Sequence, residues 1–114
     1  MNFPPKHILI DALLTDNFYN VVSRFLDGKW GELPSVWNLS FDEVIQEGIR
    51  RGVDCFIIAR PIHEGYWLSK NEDKYVVQYF ERGTNFDICE FIDLNCAFKH
   101  YLQCKINYYQ LQCA

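Results

Sequence analysis

The stretch from Tyr66 to Leu102 constrains the fold of this chain more than any other. From Trp67 onward it reads WLSKNEDKYVVQYFERGTNFDICEFIDLNCAFKHYL. Strand-like segments are broken by polar turns and lead into one amphipathic helix. Tyr66–Ser69 and Lys74–Glu81 flank the polar run Lys70-Asn71-Glu72-Asp73, which reads as a hairpin turn. Gly83-Thr84-Asn85 supplies the next turn, and Phe86–Phe91 returns as a further strand. Within Lys74–Arg82, Tyr75, Val77 and Tyr79 share one face and Val76, Gln78 and Phe80 the other, so both faces are expected to be partly covered. Asp93 is placed to cap the helix, in which Leu94, Ala97, Phe98, Tyr101 and Leu102 fall on one core-facing stripe. Ile106, Tyr109 and Cys113 extend that stripe.

Upstream, Cys55–Arg60 is a compact apolar run ended by Pro61, which suits an inner strand. Successive short turns join antiparallel neighbours. The expected fold is therefore α+β: N-terminal helices, a four-stranded antiparallel sheet meander, and a C-terminal helix packed on the sheet.

The N-terminal half reads as helical. Pro4-Pro5 opens a short first helix, in which Ile8, Leu9, Ala12 and Leu13 share a face. Thr15-Asp16-Asn17 interrupts it. Phe18, Val21, Val22, Phe25 and Leu26 follow at helical spacing, and Asp27-Gly28 stops the run. Residues 28–39 read as a loop of unusual apolarity, carrying Trp30, Leu33, Val36 and Trp37. Large apolar side chains are costly to leave in water, so folding back onto the core is favoured over display as a recognition loop. Ser40 and Glu43 form a capping box, with Leu39 and Val44 where a hydrophobic staple belongs. Phe41, Val44, Ile45, Gly48 and Ile49 build the buried stripe of this helix, which Gly52 ends.

A length of 114 residues fits a single domain, 1–114, with enough apolar content for one core. The formal charge is −4, from 11 basic and 15 acidic residues. A negative surface repels phosphate backbones, so direct nucleic-acid binding is disfavoured and a basic protein partner is favoured. No run approaches the ~18 apolar residues a membrane-spanning helix needs. Met1–Lys6 is polar and contains prolines, so no secretory leader is expected. With Cys55, Cys89, Cys96, Cys104 and Cys113 odd in number, free thiols in a reducing cytoplasm follow.

The residues carry no catalytic signature. Cys55 sits in an apolar run, with His63 beyond Pro61, and no glycine-rich elbow surrounds any cysteine. Cys96, His100 and Cys104 share a helix side but are spread over two turns, too far apart to converge readily on one metal ion, so they read as a solvated or partner-facing strip. Asp42-Glu43 and Glu72-Asp73 are helix-start and turn chemistry. Neither GxGxxG nor a P-loop is present. No cofactor, metal site or enzymatic activity is expected.

The segment from Lys74 to Leu102 resembles the C-terminal half of bacterial immunity proteins, in which an aromatic strand ends in a Glu-Arg-Gly turn (here Glu81-Arg82-Gly83). A second strand and a helix with Ala-aromatic pairing follow, here Ala97-Phe98 and Tyr101-Leu102. The resemblance covers about a quarter of the chain. It implies a non-enzymatic cytoplasmic protein that binds the C-terminal toxin domain of a contact-dependent growth-inhibition or related system. Inhibition would follow from covering the toxin's active or substrate-binding site, with carboxylates standing in for substrate phosphates if the toxin is a nuclease. Apart from the resemblance, expected exposure, acidity and aromatic character single out Glu64, Tyr66, Trp67, Glu72, Asp73, Asp87 and Glu90 as partner contacts. The rival readings are a small ligand-binding or catalytic domain with a pocket around Cys55, Arg60 and His63, and a regulatory interaction module with no toxin partner.

Overall fold

A computed structural model describes residues 3–112. The architecture is α+β, with helices α1 (Lys6–Thr15), α2 (Phe18–Phe25), α3 (Leu33–Val36), α4 (Phe41–Arg51) and α5 (Leu94–Tyr108). The strands are β1 (Ile57–Ile58), β2 (Gly65–Asn71), β3 (Lys74–Glu81) and β4 (Thr84–Phe91). Residues cluster into two compact units, one of residues up to Gly48 together with those from Ile106 on, the other Ile49–Lys105.

In the first unit, α1 ends where Asp16 turns left-handed at φ 56°, and the Asn17 N–H returns to the Ala12 carbonyl at 2.9 Å. The end of α2 is closed in a related way: the Gly28 N–H reaches the Val22 carbonyl at 3.0 Å, with Gly28 at φ +79°. A side chain at Gly28 would meet the left-handed penalty that glycine escapes. Leu9, Leu13, Phe18, Val22, Leu26, Leu39 and Val44 are buried. The Phe18 ring meets Trp37 edge-on at 6.3 Å and Tyr109 at 4.7 Å. Tyr109 also donates to Asp16 Oδ1 at 3.3 Å, tying the C-terminal residues to the α1–α2 corner.

The 28–39 segment is more regular than expected. A 3₁₀ turn over Trp30–Glu32 leads into the single turn of α3, whose first turn tolerates Pro34. Leu33, Val36 and Trp37 are buried, as the cost of exposure predicts, but Trp30 remains 48% exposed. The Trp37 indole N–H is buried without a partner among the described residues.

At the start of α4 the capping box forms. The Glu43 N–H donates to Ser40 Oγ at 3.1 Å, and the Ser40 N–H to Glu43 Oε1 at 3.4 Å. That backbone donor, with Lys6 at 3.4 Å, holds the Glu43 carboxyl below its ordinary value. Ile49 departs from the expected buried stripe and is exposed. Four residues advance a helix by about 40° beyond a full turn, which carries Ile49 past Ile45 and off the apolar face.

The second unit holds the sheet, in the order β1-β2-β3-β4. The β2–β3 and β3–β4 pairs are antiparallel, as expected, but β1 runs parallel to β2, with Ile57 opposite Leu68 and Ile58 opposite Ser69. The sheet is therefore mixed, which corrects the all-antiparallel meander. The expected inner strand Cys55–Arg60 is corrected as well. Val53–Phe56 winds into a 3₁₀ turn after Gly52, leaving a two-residue strand at the sheet's end and an exposed Cys55. Pro61 has no N–H to continue a ladder and biases Arg60 towards extended backbone. The chain accordingly takes the long way back through residues 59–64 before Gly65, at φ +133°, opens β2.

Both hairpins are tighter than their polar runs suggest. The first turns on Glu72-Asp73, and the second on Arg82-Gly83, where positive φ at both residues (52° and 77°) marks a type I′ turn. β4 consequently begins at Thr84, two residues earlier than expected. Leu68, Val77 and Cys89 stand side by side across three strands and face α5. The predicted stripe of α5 is buried at Ala97, Phe98, Tyr101, Leu102 and Ile106, while Cys113 lies outside the described residues. Phe98 stacks on Phe56 at 5.2 Å, and His100 meets Phe91 of β4 at 5.2 Å, so α5 packs on the sheet. No helix among the described residues is long and apolar enough to cross a membrane.

Candidate functional site

β4 lies at one end of the sheet, so one of its sides has no neighbouring strand among the described residues. Its register breaks once. Val77 opposes Cys89 and Tyr79 opposes Phe86, so Gln78 faces two residues, Asp87 and Ile88. Asp87 is the left-handed member of this bulge, at φ 49°. The bulge lets the Tyr66 hydroxyl, on β2, donate to Asp87 Oδ2 at 3.4 Å across the intervening strand. The Tyr66 ring rests 5.0 Å from Tyr79, which positions the hydroxyl. Burial raises the Tyr66 phenol above its ordinary value, with Cys104 and Asp87 adding to the effect.

The apolar side chains around this pair are open to solvent. Phe86 is 49% and Ile88 56% exposed, and Ile92, just past the strand, 84%. The result is a carboxylate and a phenol set among apolar groups on a strand edge, the mixture that protein interfaces use for anchoring.

Of the seven residues chosen from the sequence, the structure brings Tyr66 and Asp87 together and separates the rest. Glu72 and Asp73 occupy the exposed β2–β3 turn at the opposite end of the hairpin. Glu90 is exposed opposite Val76 and pairs with Lys74 at 3.2 Å. Glu64 is exposed, and its carbonyl lies 2.9 Å from His63 Nδ1. Trp67 corrects the expectation of exposure: it is 7% exposed, its indole N–H donates to the His63 carbonyl at 2.8 Å, and the His63 ring sits 4.4 Å from its own. An aromatic residue flanked by Leu68 and Ser69 on a covered strand is packing material. The exposed Phe86 and Ile88 lie outside the contacts expected from the sequence. Two apolar side chains near the start of the last strand in the order were the available signal, because that strand ends the sheet.

Two of the three residues of the alternative pocket have contacts of their own. Cys55 Sγ contacts the Arg51 carbonyl at 3.9 Å, and His63 is held against Glu64 and Trp67. A different cysteine–histidine contact exists on α5, where Cys104 Sγ lies 3.5 Å from His100 Nε2. Burial, with Cys89 and Asp87 nearby, pushes the Cys104 thiol up to about 11. Burial thus favours the neutral thiol over the thiolate. Cys96 is exposed, and its contact with Asp93 raises its thiol and lowers the Asp93 carboxyl. Among the described residues no three His, Cys, Asp or Glu side chains are placed to hold a metal ion.

Comparison with protein-family models, curated proteins and solved structures finds no match for this chain.

Proposed function

We propose that this chain is a protein-binding module of the immunity type, which neutralises a basic partner, the toxin domain of a bacterial competition system, by covering its active or substrate-binding surface. The observation that carries this reading is the β4 edge. There Asp87, oriented by the Tyr66 hydroxyl, stands among the exposed side chains of Phe86 and Ile88. The apolar groups supply area to bury, and the carboxylate supplies the charge that selects a cationic patch. A net charge of −4 favours encounter with a basic surface. The resemblance of Lys74–Leu102 to immunity proteins gives the partner its class.

The test is co-expression with the C-terminal region encoded by the gene immediately upstream. Rescue of host growth, with a one-to-one complex that Asp87→Ala weakens at least about tenfold, supports the reading. Absence of both rescue and a complex sinks that pairing.

A further inference from the structure

The first unit carries a surface pocket of about 350 Å³ lined by Phe3, Glu32, Ser35 and Val36. Its size falls within the range that holds a small ligand or a long side chain, ~300–1,000 Å³. The Phe3 ring is 66% exposed, although it stands at the rim of a folded surface. Glu32 is half-buried, and its carboxylate forms no hydrogen bond or ion pair among the described residues.

We infer that this pocket receives the side chain of an arginine from a protein partner. Glu32 repels an anionic occupant. A purely apolar one would cover the carboxylate without bonding it, and leaving such an acceptor unsatisfied is costly. An amphiphilic cation meets both demands. Its stem covers Val36, its charge pairs with Glu32, and the Ser35 hydroxyl is available to accept a further N–H. Arginine suits the site better than lysine, because the planar guanidinium stacks on an aromatic ring and forks onto a carboxylate at once. The chain lies the other way from a cation-repelling protein, with an acidic excess. This inference does not rest on the β4 edge, which belongs to the other unit, so either can fail alone.

The test is a titration of the whole chain with the peptide acetyl-Gly-Arg-Gly-amide, followed by amide chemical shifts. Its citrulline counterpart serves as a neutral isostere. Saturable shifts at Glu32, Ser35 and Val36 are expected, with the citrulline peptide at least about tenfold weaker. Glu32→Gln should reduce arginine binding to the citrulline level, and Phe3→Ala should weaken both peptides. Neither substitution removes a buried contact, so an unchanged spectrum elsewhere verifies folding. The inference is overturned by absence of saturable shifts at these amides, by equal affinity for the two peptides, or by undiminished binding in Glu32→Gln.

Discussion

The Tyr66 hydroxyl lies 3.4 Å from Asp87 Oδ2, spanning β3 from β2 to the bulge of β4. Asp87 therefore serves two ends. Its backbone turns left-handed to form the bulge, and its carboxylate is presented beside Phe86 and Ile88.

Those two roles separate in Asp87→Gly. Glycine relieves the left-handed backbone but loses the Tyr66 hydrogen bond and gains unfolded-state entropy, so stability should stay within about 1 kcal/mol of wild type. Partner affinity should fall at least about tenfold. Urea unfolding and calorimetric titration with the proposed toxin partner read the two quantities, and unchanged affinity would remove the carboxylate from the proposed interface.

Arg82 adopts φ 52° in the type I′ turn, a conformation that favours Asn or Gly. Arg82→Asn creates an Asn-Gly pair there and should stabilise the chain by about 0.5–1 kcal/mol. A lowered urea midpoint would show that Arg82 contributes something other than turn geometry.

Trp67 and Phe86 should behave oppositely. Trp67→Ala removes a buried ring and orphans the contact to the His63 carbonyl, at a cost of about 3–5 kcal/mol. Phe86→Ser, on the exposed edge, should shift stability by no more than about 0.5 kcal/mol while weakening partner binding. Equilibrium unfolding of the two variants decides between packing and recognition at each position.

The Cys104 thiol rises from 9.0 to about 11 on folding. The neutral thiol is the favoured form, so this contribution is fully present below pH 9 and lost as the pH climbs through about 11. Cys104 is only half-buried, so the effect is discounted by solvent screening. The difference in Tm between wild type and Cys104→Ser should be constant near neutral pH and change across that window. A difference that is flat throughout would show the thiol to be unperturbed.

Much of the fold was legible because it is encoded locally. The Ser40–Glu43 capping box, the Gly28 stop, the stripe from Leu94 to Leu102 and the two hairpins each depend on residues within a turn or two of one another. The site was less legible. Alternation along β2 and β4 tells which residues share a face, but not which face is covered. Trp67 therefore reads as a surface anchor although it is buried, and nothing in the alternation marks Phe86 and Ile88 as exposed.

By itself, then, the sequence determined the order and type of most elements, the caps that bound them and the acidic balance of the surface, because propensity, periodicity and charge act at short range or as sums. Only the tertiary structure decided that β1 runs parallel to β2, that β4 ends the sheet, that Tyr66 reaches Asp87, and that Glu32 shares a pocket with Phe3. Those relations join residues distant along the chain. The first three follow from strand pairing, the bulge opposite Gln78 and the return path around Pro61, whose geometry no single stretch of sequence contains.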